Sequence, residues 1–392
     1  MTPAYRNPVD LGFDPDAVED AWISLVQAAD RGEFGGAAAL IARGGDIALY
    51  RATGWAVAEP EADRSPMGAD TVFDLASLTK VVATTPSILA LIAQNRIGLD
   101  QPLGEIITEF GTEGRKAAVT IRALLTHSAG FRDWLPVFLE ATGEQAYLDA
   151  FAATQPEWGP GTKVVYSDPS FITLGAVVHR VTGERIDEFA RKTVFEPLGM
   201  SHTRFTPPRS WRGIIAATEI GNDFEARKGE RQPAGQPWRS GLLRGEVHDG
   251  NAWYGFNGVA GHAGLFSTLI DLYRYAEMWR NGGELDGVRI LPEALVAEAT
   301  TNQTPFAGPD LRRGLGWRLP PDNGVFTPED SGYGLGPRAY GHTGFTGTSL
   351  YVDPDTDLVV ILLTNRVHPH VNMAYLETRA KFSAAITGAI TA

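Results

Sequence analysis

The chain contains no cysteine. That excludes disulfides, thiolate metal sites and a cysteine nucleophile. It also lacks an excess of positive charge: the formal net charge is −13, which argues against nucleic acid or an anionic membrane as the main partner. No long hydrophobic run is present. The longest apolar stretch, residues 81–93, is interrupted by Thr, Pro and Ser and is too short to span a bilayer. The opening residues, MTPAYRNPVDLGF, carry no basic segment followed by an apolar one. The expectation is a soluble, cytoplasmic protein, although a trimmed exported chain would read the same way. Nor does Gly-x-Ser-x-Gly occur, which disfavours the nucleophile elbow of an α/β-hydrolase.

What the chain does have is enough length, 392 residues, to bury a sizeable core in one large or two intimate domains. Asp14-Pro15 reads as a helix cap and first turn, with Val18, Ala21, Trp22, Leu25 and Val26 on one face. AAALIAR and DIALYRATG flank Gly44-Gly45 as a β-hairpin. TSLYVD and DLVVILLTN form a second hairpin around Pro354-Asp355-Thr356, and residues 371–390 read as a closing helix. Helical segments are expected after Thr120, over 186–195 and after Ser267, with long ordered loops between Pro207 and Gly264. A helix and hairpin at each end, with no βαβ rhythm, predict an α/β (α+β) fold: one antiparallel sheet flanked by both terminal helices. Residues 1–75 and 265–392 would build the sheet domain, and 76–264 a mainly helical domain inserted between them.

The segment DLASLTKVV, residues 74–82, poses the chemical question. Ser77 could merely cap a helix and Lys80 merely point to solvent. Yet an apolar, buried-looking helix follows, a costly place for an unpaired ammonium. On a helix, i and i+3 share a face about 5–6 Å apart, so Lys80 can reach the Ser77 hydroxyl. A lysine whose pKa is lowered by burial and a helix N-terminus can take a serine's proton. The backbone N–H of Ser77 would supply half of an oxyanion hole. Two later segments can add a proton relay and the second donor: Tyr166-Ser167-Asp168 and Gly341-His342-Thr343-Gly344.

With SLTK at 77–80, YSD at 166–168 and HTG at 342–344, in that order, the chain resembles the serine hydrolases of the class C β-lactamase and penicillin-binding-protein superfamily. FDLASLTKVV, LLTHSAG, FEPLGM and GHTGFTGTSLYVDP followed by TNR are also similar to that group, so the resemblance covers nearly the whole chain. It implies a β-lactamase/transpeptidase-like fold, Ser77 as nucleophile, Lys80 as its activating partner and Tyr166 as proton shuttle. It implies the Ser77 and Phe345 N–H groups as oxyanion hole, and no metal or organic cofactor. Whether lysine or tyrosine is the base stays open.

Two departures weigh on the substrate. Asp168 stands where β-lactamases carry Asn; a carboxylate cannot donate to a substrate carbonyl unless protonated. Ionised beside Lys80, it would raise the lysine's pKa while compensating a buried ammonium. His342 stands where most β-lactamases carry Lys, and histidine is only partly charged near neutrality. Both shift weight from β-lactams toward small esters, in the manner of family VIII carboxylesterases. A D-amino-acid peptidase or amidase, or a weak β-lactamase, is the alternative, and a penicillin-binding-type module without turnover is the second. The candidate substrate contacts are Asp168, His342, Thr343, Gly344, His248 and Asn251. Gly344 is read as letting substrate lie against the strand edge. Trp134, Trp158, Trp253 and Trp317 could form an apolar acyl pocket or sit in the core. His127 is read as a structural tie. The partner is a small-molecule ester or amide; the oligomeric state is not legible.

Overall fold

The computed structural model describes residues 4–227, 231–327 and 331–391. Six strands form one antiparallel sheet: β1 (Gly36–Arg43), β2 (Asp46–Val57), β3 (Ser65–Pro66), β4 (Tyr340–Gly344), β5 (Thr348–Asp353) and β6 (Leu358–Thr364). Their order across the sheet is β3-β2-β1-β6-β5-β4. The two hairpins meet at the centre, where β1 and β6 pair from Ala37–Thr364 to Arg43–Leu358. Successive side chains of a strand face opposite sides, and here both sides are covered. Ala38, Leu40, Ala42, Val359, Ile361 and Leu363 enter the larger core. Ala37, Ala39, Ile41, Leu358, Val360 and Leu362 face the other way. That is why β1 and β6 read as nearly continuous apolar runs rather than clean alternation.

The terminal helices α1 (Pro15–Asp30) and α5 (Tyr375–Gly388) share one face of the sheet, Trp22 and Leu25 in the same core as Phe382 and Ile386. The Asp14 carboxylate caps α1, accepting from the N–H groups of Asp16 and Ala17. The closing helix is shorter than the sequence suggests and begins at Tyr375. On the opposite face lie α4 (Leu269–Arg280), whose cap is Thr268 rather than Ser267, and the helical layer. The segment after Thr120 is likewise short, Ile121–Leu125, ending before His127, whose φ of 57° turns the chain. Within the helical layer, α2 (Thr85–Ala93) follows the turn that carries Ser77 and Lys80, and α3 (Asp168–Thr182) begins at Asp168. No helix among the described residues is long and apolar enough to cross a membrane.

Candidate active site

Three elements meet at Ser77. The first is the turn that carries it. Ala76 sits at φ 46°, a conformation costly for any residue with a Cβ. The Asp74 carboxylate holds this turn, accepting from the N–H groups of Ala76 (2.9 Å) and His248 (2.7 Å). No side chain caps the helix that follows, so Ser77 is not an N-cap. Residues Lys80–Thr84 form one wide π turn, in which the Thr85 N–H reaches back to the Lys80 carbonyl. Pro86, just beyond, has no N–H to give the preceding turn, and a local widening re-registers the ladder there.

The second element is the start of α3. Ser167 caps it, its hydroxyl accepting from the Ser170 N–H, which leaves Asp168 as the first helical residue and Pro169 next. Asp168 is therefore not a turn-forming Asx residue, and its carboxylate is free to face Lys80. The Ser167 N–H donates to His127 Nδ1 at 2.9 Å, and the His127 ring lies 4.6 Å from that of Tyr166. His127 thus ties the loop after its short helix to the Tyr-Ser-Asp segment. Burial, then Arg313, Lys80 and His342, push its pKa well below the ordinary histidine value.

The Lys80 ammonium, fully buried, sits at the centre. It donates to Ser77 Oγ at 2.9 Å and to the His262 carbonyl at 3.2 Å, and pairs with Asp168 Oδ1 at 2.7 Å. An ammonium has three donors, and three acceptors surround it. Its charge also lies 4.9 Å from the centre of the Tyr166 ring. Burial alone would lower the Lys80 pKa, but Asp168 and Tyr166 outweigh it and the net shift is upward. Of the two opposing influences read from the sequence, burial and a neighbouring Asp168, the second prevails and favours the charged ammonium.

The third element is β4. Gly344 has to be glycine, because a Cβ there would collide with Thr348 Oγ1 and with the Leu75 carbonyl. The close approach is to the Ser77 turn, and Gly344 also lines the cavity. Thr346 and Thr348 reinforce the contact, donating to the carbonyls of Asp74 and Leu75. This seam puts Ser77 and Phe345 on the wall of one cavity, and among the described residues neither backbone N–H donates to a protein acceptor. Thr343 lines the same cavity, whose volume is about 630 Å³.

His342 also lines it, but burial, then Arg313 and Lys80, hold its pKa well below the usual range. It presents a neutral ring 5.7 Å from Tyr166, with Nδ1 on the Thr343 carbonyl at 2.8 Å. His248 reaches the wall too, its ring stacked on Phe345 and its Nε2 3.0 Å from Glu219. Asn251 does not reach it. It is fully buried, accepting from the Tyr147 hydroxyl (2.8 Å) and donating to the Leu135 carbonyl (3.0 Å), so both ends of its amide are spent on holding the loop. Of the four tryptophans considered, Trp134 lines the cavity and Trp317 lies in the core.

Further charged residues line the cavity. Asp249 bonds His262 Nε2 at 2.9 Å; burial works to raise its pKa, but His262 and Lys80 hold it at about 2. Glu225 accepts from the Gly250 N–H and the Asn222 amide, and burial together with Asp249 pushes it up to about 7. Donor atoms of Asp168, Asp249 and His262 gather within 4.8 Å of one another. Lys80 already occupies Asp168, and a divalent ion in that cluster would face its ammonium. Arg313 stands over the Tyr166 ring at 5.7 Å.

Comparison with known proteins shows the family and the fold. A family model described as Beta-lactamase matches residues 22–385. A protein of Salmonella agona (strain SL483) bearing the name "Putative D-alanyl-D-alanine carboxypeptidase" is 31% identical, over 93% of this chain and 86% of its own length. Two solved structures share the fold. A penicillin-binding-protein homologue from Caulobacter crescentus has a TM-score of 0.72 at 23% identity, covering 96% of this chain and 99% of that one. The second, described as "EstCE1, a hydrolase with promiscuous acyltransferase activity", has a TM-score of 0.70 at 21% identity, covering 94% and 99%.

Proposed function

Because the chain belongs to the β-lactamase family of serine hydrolases, we propose that it cleaves small esters or amides through an acyl-Ser77 intermediate. The observation that carries this is the Lys80 ammonium, wholly buried, 2.9 Å from Ser77 Oγ and 2.7 Å from Asp168. A chain that merely folded would not bury that charge against a partly exposed serine hydroxyl.

A charged lysine cannot accept the serine's proton, so Tyr166 takes it: the tyrosine enters the step as a phenolate held by the neighbouring ammonium and becomes the phenol as it receives the proton. Ser77 Oγ attacks the carbonyl carbon. The developing oxyanion is met by the N–H groups of Ser77 and Phe345. Tyr166 then returns the proton to the leaving oxygen or nitrogen. Water attacks the acyl ester by the same route in reverse, and free Ser77 is regenerated. Thr343 and His248 would border the bound substrate.

Small esters are the leading substrate class: His342 is neutral, and Trp134, Phe224 and Phe345 give the cavity apolar walls. A D-amino-acid peptidase is the second reading. Arg313, close enough to depress His342, places a fixed positive charge beside β4 where a peptide carboxylate would lie, and the Salmonella relative's name points the same way. The test is hydrolysis of p-nitrophenyl butyrate by the native protein and by Ser77→Ala. Multiple turnovers that vanish in the variant support the proposal. Undiminished turnover in Ser77→Ala would overturn it. No native turnover, on this ester or on an acylated D-alanyl-D-alanine peptide, would overturn it too, and intact mass would then show whether an acyl adduct is trapped.

A further inference from the structure

Behind Phe345 the cavity ends against two more arginines, Arg366 at the end of β6 and Arg379 on α5. Both are nearly buried, 3% and 8% exposed. Burying one guanidinium is costly without an acid; burying two side by side is more so. Among the described residues no carboxylate lies within ion-pair distance of either.

Their present partners are all neutral. Arg366 donates Nε to the Phe345 carbonyl at 2.7 Å and Nη1 to the Asn372 carbonyl at 3.0 Å, and lies 4.6 Å over the Phe345 ring. Arg379 lies 5.5 Å over the Tyr375 ring, and its Nε has no hydrogen-bond partner. The two cations feel each other: burial, with the repulsion of Arg379 added, pushes Arg366 down to about 10 despite the opposing pull of Tyr375. An unmet donor and two uncompensated charges on one cavity wall are the signature of a place where a ligand supplies the negative charge.

We propose that Arg366 and Arg379 form an anion subsite that binds a carboxylate of the substrate, one carbonyl chain away from the ester or amide that Ser77 attacks. The inference rests on the acyl-Ser77 reading for what the anion is attached to, but the subsite itself stands on the arginines. Arg366 links it to the chemistry, because the carbonyl it holds belongs to Phe345, whose N–H is the second oxyanion donor of the proposed mechanism. An occupied subsite fixes both ends of that residue. The preferred substrates are then short acyl compounds carrying a carboxylate, such as dicarboxylate half-esters or peptides of acidic residues, over neutral esters of equal length.

The first test reads binding without turnover. Glutarate is titrated into Ser77→Ala protein by calorimetry at low salt, with Arg379→Gln and Arg379→Lys introduced on that background. The expected result is one site, weakened at least about tenfold by Gln and partly restored by Lys, the loss that follows from one charge-assisted hydrogen bond. Glutarate that binds Arg379→Gln as tightly, or that does not bind at all, overturns the subsite. Inorganic phosphate titrated in parallel distinguishes the source of the charge: phosphate bound tightly while glutarate is not would overturn the carboxylate assignment. The second test compares mono-p-nitrophenyl glutarate with p-nitrophenyl valerate in the Ser77-containing protein. The ratio of their kcat/KM values should favour the glutarate ester and collapse about tenfold in Arg379→Gln, through KM. Failure of Ser77-dependent turnover on both esters would sink the hydrolase reading while the calorimetry still decides the subsite.

Discussion

Replacing Asp168 by Asn tests the account of the buried lysine most directly. The side chain keeps its shape but loses its charge, so Lys80, wholly buried, faces no carboxylate at 2.7 Å. Breaking a buried pair from one side costs about 3–5 kcal/mol. A ceiling applies, because the amine can escape the penalty by losing its proton. With an unfolded pKa of about 10.4 and 1.36 kcal/mol per unit, that escape costs about 4.6 kcal/mol at pH 7 and about 1.9 kcal/mol at pH 9. In the native protein Lys80 is raised above its unfolded value. Its contribution is fully present at all pH values below about 10.4 and is lost only as pH rises beyond that, through the folded pKa. In Asp168→Asn burial acts unopposed by the carboxylate and the folded pKa drops. The unfolded state then binds more protons than the folded one, so the variant's stability rises with pH. The expected loss is about 3–4 kcal/mol at pH 7, shrinking to no more than about 2 kcal/mol at pH 9. Urea midpoints of the two proteins at both pH values read this difference, with other titrating groups common to both. A gap that stays constant or widens between pH 7 and pH 9 would refute the claim that Asp168 is what keeps Lys80 charged.

Two further outcomes follow from the same geometry. Gly344→Ala would place a methyl group against Thr348 Oγ1 and the Leu75 carbonyl, so β4 must withdraw from the Ser77 turn; hydrolysis should fall by more than about tenfold while the far-ultraviolet circular dichroism stays native. Glu225, pushed up to about 7 by burial and Asp249, binds its proton more tightly folded than unfolded, so ionising it costs stability as pH rises from about 4.3 toward 7. Glu225→Gln should therefore gain stability relative to the native protein at pH 8 compared with pH 5, by at most about 3 kcal/mol, and thermal melts at the two pH values that show no such gain would contradict the assigned direction.

The parts of this molecule legible in sequence are those whose physics is local. Asp14-Pro15 announces α1 because cap and first turn are neighbours, and Gly44-Gly45 announces the first hairpin for the same reason. Ser77 and Lys80 meet because three residues of a helical turn suffice to join them. Tyr166 and Asp168 were reachable by their resemblance to a family pattern, not by spacing. Asn251 shows where such reading stops. It lies three residues from His248, on the same loop, yet one reaches the cavity wall and the other is buried under Tyr147. A loop's inside and outside are decided by what packs over it, which no local pattern records. Arg366 and Arg379 were missed for a related reason: an arginine carries no mark of the cavity it will face. The crowding at Gly344 was likewise not legible, since it comes from Leu75, far away in the chain.

The distribution of charge around Ser77 also explains why Asp168 is compatible with the site at all. A neutral amide there would leave Lys80 to be stabilised by the Ser77 hydroxyl, one carbonyl and the Tyr166 ring, and burial would drive it toward the free amine. The carboxylate makes the opposite choice, and the rest of the wall is built to match. His127 and His342, both next to Lys80 and Arg313, are held neutral and add no further positive charge. Asp249, bonded to His262, stays ionised and faces the same ammonium. The Lys80 charge is thereby compensated within the protein, by Asp168 and Asp249. Arg366 and Arg379 are the exception, uncompensated by any acid among the described residues. Charge on a substrate is therefore least costly, and most useful, at their end of the cavity rather than at Ser77.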